Sequence, residues 1–466
     1  MTDSLQWFNL LEQNRRKVIP MSGANQIPQV SGADPSIGHL EEFNSDPLLF
    51  LQRVHKECGE IGEFDLAGLG TVLLVGSEAH EAVFRANEEQ LSAAQAYQMM
   101  IPVFGEGIQY GAPPHIERQQ LKIQIQGLKH DRMLNYAGIV EHETTLLIKE
   151  LGKKGTIDVN QIFSDLTLKT STHCLLGAEL RSELNDEFST LYKDLENGIA
   201  PSSLSDPFEK NERLTKCIRA RKRLEELIGD HVDRRRTKGK IYEDMLQVYM
   251  DSKYEDGTPL NKAEITGMVI WFMFAGHHTS ANTTAWTLLE VVKNPAYLSK
   301  LLEEIDQVFL KFPTVTVESL RELLLLDGFI RESLRLHPPL NAITRRVMSD
   351  FQYKEFTIPT GKNIMICPYV SHKLEKSFPK PLSFNPERPS PKDNFSEIAF
   401  GGGRHKCIGN GFAILQVKTI LATLLKQYTF NLSELPEKYG EAMPALILRP
   451  KDPCELTYVK KDDQGR

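Results

Sequence analysis

Apolar residues recur at three- and four-residue intervals through most of the chain, from about residue 76 to about residue 340, which predicts a largely helical protein. The most apolar stretch, Ile265 to Val292, reads as one long helix, with Trp271, Phe272, Met273 and Phe274 in a row near its middle. A second run, Ile414, Leu415, Val417, Leu421, Leu424 and Leu425, predicts a helix over Ile408 to Phe430. Pro201 to Pro207 interrupts the helical pattern and reads as a loop. Strand character comes in small doses. Ile61–Leu66 and Thr71–Val75 flank Ala67-Gly-Leu-Gly70, a hairpin signal. Strands return over 351–367 and at the C-terminus, with turns at Pro359-Thr-Gly361 and Pro450. Residues 4–17 form a short amphipathic segment (Leu5, Trp7, Phe8, Leu10, Leu11) that packs on the body, frays or touches a membrane surface. The expectation is a mainly α protein with a minor β region: an N-terminal extension, 1–26, and a single domain, 27–466.

Composition removes several classes of function. The chain has 466 residues and no visible linker, with 41% apolar and 25% charged residues, an ordinary balance for a globular protein. A net charge of −7 argues against nucleic acid. The six cysteines (58, 174, 217, 367, 407, 454) are scattered without a CxxC pair, which fits a reducing compartment better than disulfides or a zinc site. No run approaches the ~20 apolar residues of a membrane span, and no signal peptide is visible. The expected location is cytoplasmic and soluble, with no transmembrane anchor.

Chemistry concentrates in Phe400-Gly-Gly-Gly-Arg-His-Lys-Cys407-Ile-Gly409. Three glycines shape a loop, and Cys407 then stands at a helix N-terminus, where backbone N–H groups favour a thiolate. Such a sulfur suits an axial ligand of haem iron; an inert buried cysteine is the alternative. Within the long apolar helix, Ala275-Gly276-His277-His278-Thr279-Ser280 is an island of polar groups. Thr279 can bond the carbonyl of Ala275 one turn back, and Gly276 permits a bulge. Adjacent histidines on a helix point about 100° apart, so the pair is not expected to share a metal. Tyr97 to Tyr110 is an aromatic loop broken by Pro102, Gly105 and Gly107, suited to lining an apolar pocket. Glu332 and Arg335 share a helix face, with Arg388 about fifty residues on.

These segments resemble, in order and spacing, the motifs of the cytochrome P450 superfamily. The cysteine loop matches Phe-x-x-Gly-x-(Arg/His)-x-Cys-x-Gly at each fixed position: Phe400, Gly403, His405, Cys407 and Gly409. Gly276–Ser280 and the Tyr97–Tyr110 loop are similar to the sterol 14α-demethylase branch. The resemblance runs from Ile27 to Tyr458. It implies the triangular P450 fold and a haem (heme b, iron protoporphyrin IX) ligated by Cys407. It also implies haem contacts from Tyr97, Arg118, Arg345 and His405, and a proton relay through Thr279 and His278. Tyr97, Met100, Phe104, Tyr110, Ala275, His278 and Leu340 would touch substrate, and Glu332, Arg335 and Arg388 would form a buried charge triad. The implied reaction is removal of a sterol 14α-methyl group as formate by three oxidations. O2 is the oxidant, and the electrons come from a ferredoxin or flavodoxin with its reductase. That donor is expected on a positive face of Arg404, Lys406, Lys418, Lys122, Lys129 and Arg132, and the Pro201–Pro207 loop is a candidate lid. Gly111, Asn341 and Thr344 depart from the branch, and a cavity-facing Asn341 would favour a ligand with a polar substituent. The alternatives are a monooxygenase hydroxylating another triterpenoid, steroid or fatty acid, and a non-catalytic haem and lipid sensor.

Overall fold

The computed structural model describes residues 26–183, 186–199, 211–240, 242–443 and 447–461. Residues 4–17 and the Pro201–Pro207 loop lie outside the described residues. The chain is built around one central helix, Lys262–Lys293, opened by a capping box between Asn261 and Glu264. At 32 residues it is about 48 Å long. Being apolar on nearly every side, it must be covered on every side. The helices Val159–Ser182, Glu212–Lys238 and Leu324–Leu336 pack on it. So does Asn410–Gln427, the helix that follows Cys407.

That last helix ends three residues before the expected Phe430. From Tyr428 the burial alternates, and Tyr428–Leu432 becomes a strand. Ile61–Leu66 (β1) and Leu69–Leu74 (β2) form the expected hairpin, with both loop residues at positive φ, Ala67 at 54° and Gly68 at 90°. Leu91–Ser92 (β3), Lys154–Asp158 (β4), Ile343–Val347 (β5), Phe351–Tyr353 (β6), Phe356–Ile358 (β7), Asn363–Ile366 (β8), Tyr428–Leu432 (β9) and Glu455–Lys460 (β10) complete the strands. One sheet has the order β1-β2-β8-β5-β3, a second β4-β10-β9, and β6 and β7 form a hairpin. The strand β4 falls inside a stretch read as helical. It buries one of its five side chains and is held by backbone pairing to β10. The β3–β5 pairing anchors the start of the aromatic loop to the strand that carries Arg345.

Between His372 and Phe400 the chain has almost no regular structure, so its carbonyls need donors from elsewhere. Two guanidinium groups supply them. Arg335 donates to the carbonyls of His372 (2.9 Å) and Pro381 (2.7 Å). Arg388 donates to those of Pro379 (2.6 Å) and Ser383 (2.8 Å). Both guanidinium groups also grip the buried Glu332 carboxylate, at 2.7 Å and 3.0 Å. Glu332, Arg335 and Arg388 thus form one buried charge cluster beneath the segment leading to Cys407.

Breaking this cluster strands a buried charge. Arg388→Met is expected to lower the unfolding free energy by about 3–5 kcal/mol. Loss of the exposed pair Lys311–Glu322 should cost no more than about 1 kcal/mol. Urea unfolding of both variants checks this, and equal losses would contradict it.

Candidate active site

The cysteine loop is pressed against the helix Ser77–Arg85. Gly403 has a φ of +61°, and a Cβ on it would collide with the Phe84 carbonyl; at Gly402 it would collide with the Phe84 ring. No side chain fits at either position. The N–H of Cys407 donates to the Phe400 carbonyl at 2.9 Å, closing the loop. Of the six cysteines, Cys407 is the exposed one. Its sulfur is reachable yet surrounded by protein, and burial pushes the thiol up from its ordinary range. Backbone N–H groups of Gly409 and Asn410 pull the other way and only partly offset it. The lowered pKa expected from the helix terminus is therefore not found: burial outweighs the dipole, and a stable thiolate needs a positive partner.

The middle of the central helix opens at Ala275, which is exposed, and at Thr279, which is half-buried. Thr279 Oγ1 donates to the Ala275 carbonyl at 2.7 Å, as the spacing predicts. The helix runs unbroken through Gly276, so the expected bulge is absent. Gly276 serves close packing instead: Ser171 Oγ donates to its carbonyl at 3.2 Å, and a Cβ there would sit 3.4 Å from that hydroxyl. The histidines also correct the expectation. Their ring centroids are only 4.1 Å apart, and both rings turn to one carboxylate oxygen, Glu196 Oε1. Burial works against charge on Glu196, but hydrogen bonds from His277 and His278 outweigh it and hold the carboxyl at about 2. Nothing in the sequence marked Glu196, the last residue of an amphipathic helix, Asp186–Glu196.

The aromatic loop brings Tyr97 and Tyr110 together, ring centroids 5.0 Å apart. Tyr97 Oη accepts the N–H of Thr344 at 3.0 Å, leaving its own proton free to donate. Arg345 is buried, with Nη1 on the Thr344 carbonyl at 2.8 Å. Burial raises the Tyr110 phenol, on which Arg345, Glu117 and Glu88 also act. Gly111 stands 3.2 Å (by its would-be Cβ) from the Gly105 carbonyl, so the small residue at this departure keeps the loop tight. Phe104 is wholly buried, edge-on to Phe274, and braces the wall from behind instead of lining it. Met100 is half-buried, and Leu340 is exposed beside its backbone bridge to Ile447. Arg118 is exposed on the helix Pro114–Gln126.

Two further acids escaped sequence reasoning. His405 Nε2 lies 3.1 Å from Glu88 Oε2, and Arg404 reaches both Glu88 and Glu117 at 3.7 Å. Burial opposes charge on Glu88, yet bonds from His405, Ser92 and the Ala94 N–H hold it at about 2. Glu117 is raised by burial, with the neighbouring charge of Glu88 adding to it. The expected positive face shrinks. Lys418 is buried, bound to the Leu320 carbonyl (3.1 Å) and Asp327 (2.7 Å). Lys122 pairs with Glu255, and Arg132 donates to the Glu243 carbonyl.

A haem suits this set of groups. There is one reachable thiolate precursor among N–H donors, a small-residue notch on the helix that packs against the cysteine helix, and donors at Tyr97, Arg345 and His405 for carboxylate arms. Among the described residues no helix is long and apolar enough to cross a membrane.

The comparisons agree with this chemistry. The family model described as Cytochrome P450 matches residues 28–458. The sterol 14α-demethylase of Mycolicibacterium vanbaalenii is 36% identical over 451 residues, 95% of this chain and 99% of that protein. The sterol 14α-demethylase of Mycobacterium tuberculosis is 37% identical over 445 residues (93% and 98%). The lanosterol 14-alpha demethylase of Rattus norvegicus is 34% identical over 425 residues (88% and 83%). Retinoic acid-bound cyanobacterial CYP120A1 shares the fold with a TM-score of 0.82 at 21% identity, covering 94% of this chain and 100% of its own. With the family model matched over residues 28–458 and relatives similar over most of both chains, the chain belongs to the cytochrome P450 family of haem monooxygenases.

Proposed function

We propose that this cytochrome P450 monooxygenase is a sterol 14α-demethylase that removes the methyl group as formate. The observation that carries the reading is its similarity to bacterial sterol demethylases along almost the whole of both chains. The local geometry supports it. In this reading Tyr97, Met100, Tyr110, Ala275, His278 and Leu340 would face a flat, rigid, apolar molecule, with Phe104 bracing the wall. Asn341 is buried and has its own interactions within the protein, so a polar substituent on the ligand is not required to satisfy it.

Haem, bound through Cys407, would supply the iron at which O2 is activated. Tyr97, Arg345, His405 and Arg118 would hold its carboxylates. The rest is done by side chains of this protein. Thr279, anchored on the Ala275 carbonyl, keeps its oxygen lone pairs toward the site and passes protons one at a time. His278 replenishes it, its ring fixed by the Glu196 carboxylate. Three rounds convert methyl to alcohol, to aldehyde, and to formate plus a ring double bond. Each round consumes one O2 and two electrons.

The electrons come from a separate ferredoxin or flavodoxin with its reductase. Its docking face is reduced to Lys129, Arg404 and Lys406 beside the cysteine loop. The reaction belongs in the cytoplasm, in line with six free cysteines. A second reading, hydroxylation of another triterpenoid, steroid or fatty acid, is favoured by Thr344, polar where the branch is aliphatic.

Product analysis with a reconstituted donor decides between them. The 14-desmethyl sterol and formate are expected from lanosterol; a retained 14α-methyl with a hydroxyl elsewhere would move the protein to the second reading. Thr279→Ala is expected to keep haem and sterol binding, and to lower product formation by about 10²-fold or more while peroxide rises. Unchanged coupling of electrons to product would contradict the relay. Lys406→Glu should slow reduction by an acidic donor about tenfold at low salt and by less at high salt, which stopped-flow reduction measures.

A further inference from the structure

The carbonyl of Gly276 has more than its own helix gives it. Inside an unbroken helix each carbonyl accepts one backbone N–H from four residues on, and that of Gly276 also accepts the Ser171 hydroxyl at 3.2 Å. Ser171, on the helix Val159–Ser182, is in turn set by a third helix. Gln416 Nε2, on the helix that follows Cys407, lies 2.6 Å from Thr170 Oγ1 and 3.2 Å from Ser171 Oγ. An amide nitrogen only donates, so it fills a lone pair on each hydroxyl. Thr170 donates to the Leu166 carbonyl at 3.0 Å, and the single proton of Ser171 is left for Gly276. Gln416, Thr170 and Ser171 are all buried. The consequence shows at Ser280. Thr279, Thr283, Thr284 and Thr287 each turn the hydroxyl back to the carbonyl four residues before, at 2.7 Å. Ser280, whose acceptor would be Gly276, does not, and its hydroxyl is buried without a partner.

We infer that Gln416 and Ser171 are positioning residues for the central helix: they hold the Gly276 carbonyl outward, so that the turn Gly276–Ser280 opens easily beside Thr279. A carbonyl drawn to an outside donor leans away from the helix axis, and its bond to the N–H four residues on lengthens. When that bond breaks, the carbonyl is still paired with Ser171, and the penalty for a buried, unpaired acceptor does not arise. The turn lies where the helix meets the site, at the exposed Ala275 and the half-buried Thr279. Ser171 and Gln416 thus form a brace that starts on the cysteine helix, crosses the helix behind, and ends at the wall bearing Thr279. Gly276 needs no bulge in the closed helix, because the means of opening it lies in the neighbouring helices. The inference rests on haem lying between Cys407 and this turn, and is independent of which substrate is oxidised.

Amide hydrogen exchange on the haem-containing full chain reads this turn directly. In the wild type the Ser280 amide is expected to exchange faster than that of Thr284, which is equally buried one turn on. Ser171→Ala should slow Ser280 by about three- to tenfold, the effect of one hydrogen bond, because opening then leaves the Gly276 carbonyl unpaired. Gln416→Met should act in the same direction and less strongly, and Ser171→Thr, which keeps the hydroxyl, should restore the wild-type rate. The infrared stretch of carbon monoxide on the reduced haem is the second readout. It should shift in Ser171→Ala and return in Ser171→Thr, although neither variant alters Cys407 or Thr279. A Ser280 amide unchanged or faster in Ser171→Ala, an unshifted stretch, or a Ser171→Thr variant that behaves like Ser171→Ala would overturn the assignment. So would a wild-type Ser280 amide no faster than that of Thr284, a comparison that stands even if a variant fails to fold.

Discussion

An irregular, buried stretch of backbone must find donors for its carbonyl groups, and the position of Cys407 depends on how that demand is met. From His372 to Phe400 no helix or sheet ladder supplies them, and guanidinium groups stand in. Arg335 and Arg388 can spend several N–H groups on carbonyls because the Glu332 carboxylate between them offsets part of their charge. His372 adds to the same scaffold, its Nε2 accepting the N–H of Ile398 at 2.9 Å just before the cysteine loop. The charges are therefore structural, and their value lies in what they order. Above them the loop has no freedom left, because Gly402 and Gly403 are seated against Phe84.

The long elements were legible because burial imposes a period. A helix surrounded by other helices has to be apolar on every side, and Ile265–Val292 reads that way without any context. The misplaced boundaries lie where backbone pairing overrides side-chain pattern. Tyr428 to Leu432 continues the apolar run of the preceding helix, yet β10 offers a ladder that the helix end lacks. Lys154 to Asp158 has hardly any pattern of its own and is a strand because β10 needs a second neighbour.

The site divides along the same line. Cys407 and Thr279 could be read from local spacing, since loop, helix turn and functional atom lie within a few residues. Glu88, Glu117 and Glu196 could not, because each meets its histidine from a distant segment. The expected divergence of His277 and His278 failed for a related reason. A 100° rise around a helix fixes where Cβ atoms leave, but one carboxylate from a neighbouring helix draws both rings to itself. Lys418 shows the opposite error: a lysine near the cysteine counted as surface, while its chain runs inward to cap the Leu320 carbonyl and pair with Asp327.

Glu196 is also a point at which an outer helix is fastened to the central helix. Another is Arg221, on the neighbouring helix Glu212–Lys238, whose guanidinium donates to the carbonyls of Phe104 (2.9 Å) and Ala263 (3.4 Å). Gly105 and Gly267 have no room for a Cβ there, so the aromatic loop, the central helix and the outer helix meet at backbone distance. One fastening holds His277 and His278 and the other holds the loop bearing Tyr97 and Tyr110. Since the two outer helices pack on each other, lifting them to admit a rigid molecule loads both fastenings together. In the function proposed above, access to the pocket and the geometry of His277 and His278 would thereby be coupled through the same pair of helices.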